Sequence, residues 1–189
     1  TSATAGALQR QIDVAPGALG FGYDTGLYLR FRAASPADFT LAYAVSRCEA
    51  ADFATAERLV GELLEHRPGW LQARWVRVAI HYRAERWSDV VRMLTPMVGD
   101  RFLDDASAHA ARVTLGIALA RLGMFAPALS HLEQPDGPLT VAATDGALAK
   151  ALALRAQGED DDARELLQEL YAANPEHAQI EEALSDTTF

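Results

Sequence analysis

The side chains able to do chemistry are few and poorly spaced for catalysis. Five histidines, His66, His81, His109, His131 and His177, include no pair at i, i+4 and no HExxH, the spacing that puts two imidazoles on one helix face around a zinc ion. Cys48 is the single cysteine, which excludes an internal disulfide and any zinc site built on paired thiolates. It falls on an expected helix with no nucleophile signature around it, and reads as a small buried residue. No G-x-S-x-G elbow occurs. Lys150 is the only lysine among 17 basic residues, and Ala149 precedes it. A P-loop needs Gly-Lys to cradle phosphates, so ATP hydrolysis through that motif is excluded. The acidic run Glu159 to Asp162 imitates a cation site, but it opens a helix, where carboxylates meet the positive end of the dipole. No catalytic residue, metal ligand or cofactor site is expected in the chain.

What remains is recognition, and composition narrows the partners. With 17 basic against 26 acidic residues in 189, the formal net charge is −9. That balance repels phosphate backbones and anionic lipid, and the basic residues are scattered, so nucleic-acid binding is not expected. The longest uncharged stretch, Leu122 to Leu132, is far short of the roughly 20 apolar residues that span a bilayer. Thr1 to Gln9 lacks the basic flank and apolar run of a signal peptide. The chain reads as cytosolic, without membrane insertion.

The elements that position any site follow from an internal repeat. Ala56, Val90, Ala128 and Ala163 occupy equivalent places, separated by 34, 38 and 35 residues. A period near 34 is the tetratricopeptide signature. Twelve positions before each stands Ala44, Val78, Gly116 or Ala151; small side chains at both places let the two helices of a pair approach closely. Phe53, Trp87 and Phe125 should fill gaps between pairs, while Pro68 and Pro175 stop second helices. Helix pairs are expected at 38–50 with 53–66, 70–84 with 87–98, 106–121 with 125–134, and 140–156 with 160–173, with a capping helix at about 176–184. The fold class is thus mostly all-α, a tetratricopeptide-like solenoid of about four helix pairs plus the cap.

Before Asp38 the texture differs. Ala15-Pro16-Gly17-Ala18 suits a tight turn, and Leu27, Leu29 and Phe31 alternate onto one face. Residues 1–37 are expected to form a β-hairpin or finger, and residues 38–189 the repeat domain as a single structural unit. The concave surface takes the first helix of each pair, which places Leu41, Val45, Trp75, Ala79, Tyr82, Val113, Ile117, Leu148 and Leu152 in a trough with Arg83, Arg121 and Arg155 along one rim. Such a trough suits a peptide carrying carboxylates, because guanidinium forks grip them bidentately. The other reading fills it with the chain's own hairpin, through Leu27, Leu29 or Phe31, and pairs the arginines with internal acids. Both stay open on the residues alone.

The hairpin before the repeats, Ala84 to Val90 (AERWSDV), the Phe102 to Leu132 helix pair and the closing Ala183 to Asp186 (ALSD) resemble the N-terminal tetratricopeptide domain of EccA-type AAA+ ATPases of mycobacterial type VII (ESX) secretion. The likeness runs from about Leu8 to the end. It implies a β-finger along the groove, a following ATPase module holding ATP and Mg, hexamer formation through that module, and secreted substrates or their chaperones as partners. Further helices precede the finger in the family, and the ATPase half is absent here. The chain is therefore expected to be a fragment, monomeric and without ATPase activity. Two functions compete: a recognition module, and a structural arm with a blocked groove that positions or restrains the motor.

Overall fold

A computed structural model describes residues 35–99, 103–132 and 142–185. The expected hairpin, with Leu27, Leu29 and Phe31, lies outside these residues. Among the described residues there are nine helices and no strand. They are α1 (Pro36–Glu49), α2 (Phe53–His66), α3 (Leu71–Arg83), α4 (Trp87–Val98), α5 (Asp105–Arg121), α6 (Phe125–Leu132), α7 (Ala142–Gln157), α8 (Asp160–Ala173) and α9 (Ala178–Ser185). They group into two compact units divided after Val90, so the first turn of α4 belongs to the first unit and the rest of that helix to the second. None of the described helices is long and apolar enough to cross a membrane.

Local sequence explains the boundaries. Ser35 and Asp38 form a reciprocal capping box at α1, the Asp38 carboxylate accepting from the Ser35 amide at 2.8 Å, with Pro36 in the first turn. Asp52 caps α2 through the Thr55 amide at 3.2 Å, and Asp104 caps α5 through the Ser107 amide at 2.7 Å. Asp52 also accepts from Arg47 of α1 at 2.7 Å. The Arg47 hydrogen bond first, then those from Thr55, holds the Asp52 carboxyl below the usual carboxylate range.

The turn inside each helix pair is the same object four times. Ala51, Glu85, Gly123 and Gly158 all have positive φ, at 59°, 55°, 75° and 86°. Each donates its amide three residues back, to the carbonyls of Cys48, Tyr82, Ala120 and Arg155. The next amide reaches five residues back, to Arg47, His81, Leu119 and Leu154. This is the Schellman pattern, which satisfies the last carbonyls of the first helix and reverses the chain. Each left-handed residue lies five before its small residue, so the sequence repeat and the backbone repeat coincide.

Packing follows the same logic. Ala44, Ala56, Val78, Val90, Ala128, Ala151 and Ala163 are all fully buried. At Gly116 an added Cβ would lie 2.6 Å from Leu132 Cγ and 3.3 Å from the Ala128 carbonyl oxygen, so only glycine permits this approach of α5 to α6. In the first unit, Leu41, Val45 and Cys48 of α1 join Leu59 and Val60 of α2 and Val76 and Ile80 of α3 in one core. In the second, Leu148 of α7, Leu167 and Leu170 of α8, and Ile180 and Ala183 of α9 form another. The α9 helix thus seals the apolar face of α7 and α8, as the expected cap should.

Candidate functional site

On the first unit, α3 carries three of the expected contact residues. Trp75 is only 6% exposed, and its indole N–H is buried with no hydrogen-bond partner among the described residues. Tyr82 is half-buried and meets Trp87 edge-on, ring centroids 5.1 Å apart at 89°. Arg83 ends the helix near Cys48, is half-buried, and is engaged within the chain. Burial pushes the Cys48 thiol up to about 11, against the opposing pull of the Arg83 charge. That thiol stays protonated and enclosed, as the reading of Cys48 as a packing residue requires.

On the second unit, Ile117 of α5 is 3% exposed, whereas Arg121 at the helix end is exposed and also engaged within the chain. The α7 residues Leu148 and Leu152 pack in the cluster closed by α9. Arg155 joins them by donating from Nη1 to the Ala183 carbonyl at 3.3 Å. Thus α7 brings Leu148, Leu152 and Arg155 together against the capping helix. Leu41, Val45 and Ala79 of the expected trough are fully buried in the first core.

Two features of the first unit lay outside the sequence reading. Phe39 and Tyr43, at i and i+4 on α1, are 38% and 54% exposed, and the Arg47 guanidinium lies 6.0 Å from the Tyr43 ring centroid. The Phe39, Tyr43, Arg47 spacing was visible as one helix face. The second is a charged cluster around His81, 5% exposed on α3. Its Nε2 is 3.3 Å from Glu57 Oε2 of α2, and its Nδ1 is 3.2 Å from Asp89 Oδ2 of α4. Arg77, one turn earlier, grips Glu57 Oε1 with Nε at 2.8 Å and Nη2 at 2.6 Å. Burial pushes the Glu57 carboxyl up, but contacts from His81 and Arg77 outweigh it and hold the carboxyl below its usual range. The Arg77–His81 spacing was legible; the helices supplying the carboxylates were not.

Lys150 lies inside α7 on a cavity of about 520 Å³ lined by Leu154, Glu159, Asp162, Glu165, Leu166 and Glu169. Four carboxylates and a mid-helix lysine do not fit a nucleotide phosphate, which needs backbone amides and a glycine turn at a helix start. No group of three or more His, Cys, Asp or Glu suited to a metal ion occurs among the described residues.

The family model described as "T7SS, ESX-1 secretion system protein EccA1, N-terminal domain" matches residues 1–189. The chain belongs to this EccA family. It is 64% identical over 189 residues to the ESX-3 secretion system protein EccA3 of Mycolicibacterium smegmatis, covering all of this chain and 31% of that relative. It is 62% identical over 192 residues to EccA3 of Mycobacterium tuberculosis H37Rv, with 30% of that relative covered. Identity to the ESX-1 protein EccA1 of Mycobacterium leprae is 32% over 172 residues, 87% of this chain and 29% of the relative. The crystal structure of the N-terminal domain of the EccA1 ATPase from the ESX-1 system of M. tuberculosis superposes with a TM-score of 0.67 at 27% identity, covering 87% of this chain and 60% of that one. The chain spans about a third of the length of its EccA3 relatives.

Proposed function

We propose that the chain is the partner-recognition module of an EccA-type secretion ATPase, taking secreted ESX substrates or their chaperones in the cytoplasm and presenting them to the attached motor. Family membership combined with the four-fold repeat of one helix-pair design supports this, because the repeat leaves Arg83 and Arg121 at corresponding helix ends beside the Schellman turns. An arginine carries five donors, so an internal contact leaves capacity for a carboxylate of a bound partner. Of the expected contact residues, Tyr82, Arg83 and Arg121 are the ones a partner would meet, since Trp75, Ile117 and Leu148 are buried and Leu152 and Arg155 pack against α9. The names of the 64% and 62% relatives favour an ESX-3 system over ESX-1. In this reading ATP and Mg bind only in the ATPase module, hexamers form through that module, and this chain alone is a monomer.

A second reading draws on specific contacts. Trp75, Ile117 and Leu148 are buried, and Arg155 bonds the Ala183 carbonyl, as a structural arm that positions or restrains the motor would have them. A pulldown with this domain against the secreted proteins encoded beside its gene separates the two. Retention of one such protein, lost in Arg83→Ala or Arg121→Ala at unchanged stability, supports recognition; destabilisation with no retained protein supports the arm.

A further inference from the structure

We draw no further inference here: the strongest candidate, the aromatic face of α1 on which Phe39 and Tyr43 stand exposed beside the Arg47 guanidinium, carries none because nothing among the described residues shows what covers it.

Discussion

Gly61 and Gly116 both sit inside helices, in α2 and α5, and should respond to alanine with opposite signs. Alanine is better than glycine in a helix interior by about 1 kcal/mol, through the backbone freedom glycine loses on folding. At Gly61 none of the described residues lies within 4 Å of the added Cβ, so Gly61→Ala should gain most of that amount. At Gly116 the Cβ would sit 2.6 Å from Leu132 Cγ and 2.8 Å from its Cδ2, with the Ala128 carbonyl oxygen at 3.3 Å. Leu132 must retreat, and α5 and α6 must separate slightly, a class of overpacking that costs about 1–3 kcal/mol. Set against the helix gain, the net is a loss of up to about 2 kcal/mol, leaving the two variants about 2 kcal/mol apart. Urea unfolding followed by far-ultraviolet circular dichroism, each variant against wild type, measures this difference. Equal stabilisation by both alanines would refute the claim that a close helix approach fixes the residue at position 116.

The left-handed turn residues give a second comparison: Ala51→Gly and Glu85→Gly should each stabilise by up to about 1 kcal/mol, whereas Gly123→Ala and Gly158→Ala should cost about that much in the same unfolding assay. Arg77→Ala strips Glu57 of its two-pronged partner and should destabilise by about 2 kcal/mol at neutral pH. Because the Glu57 carboxyl is held low in the folded chain, its share of stability is complete above the ordinary carboxylate range and fades as pH falls through the lowered value. The wild type minus Arg77→Ala difference should therefore shrink in acid. Cys48, 0% exposed and with its thiol pushed up to about 11, should resist a thiol reagent at pH 8 in native buffer and react fully in denaturant.

The repeat was legible because it is enforced at several places at once. Small residues where helices touch, aromatics opening three of the second helices and prolines after two of them are all local requirements, and the expected helices lie within a few residues of those found. The Schellman turns were less visible, since Ala51 and Glu85 occupy positions where glycine would announce the geometry. The candidate site was harder still. A trough assigned by repeat position names the side of a helix, not the depth of burial, so Trp75 at 6% exposure and Arg155 on the Ala183 carbonyl were beyond its reach. The His81 cluster depends on three helices meeting: Glu57 precedes its Arg77 partner by 20 residues, too far for any single-helix pattern to join them.

The recognition claim is tested most directly by titrating a secreted partner from the pulldown against the wild-type domain and against Arg83→Ala, Arg121→Ala and Arg164→Ala. Arg164 is a suitable control, on the second helix of its pair and bonded to the exposed Asp161 at 3.0 Å. Loss of a charge-assisted contact should weaken binding by roughly tenfold or more for Arg83→Ala and Arg121→Ala, and leave Arg164→Ala close to wild type. Equal affinities for all three variants would contradict the account.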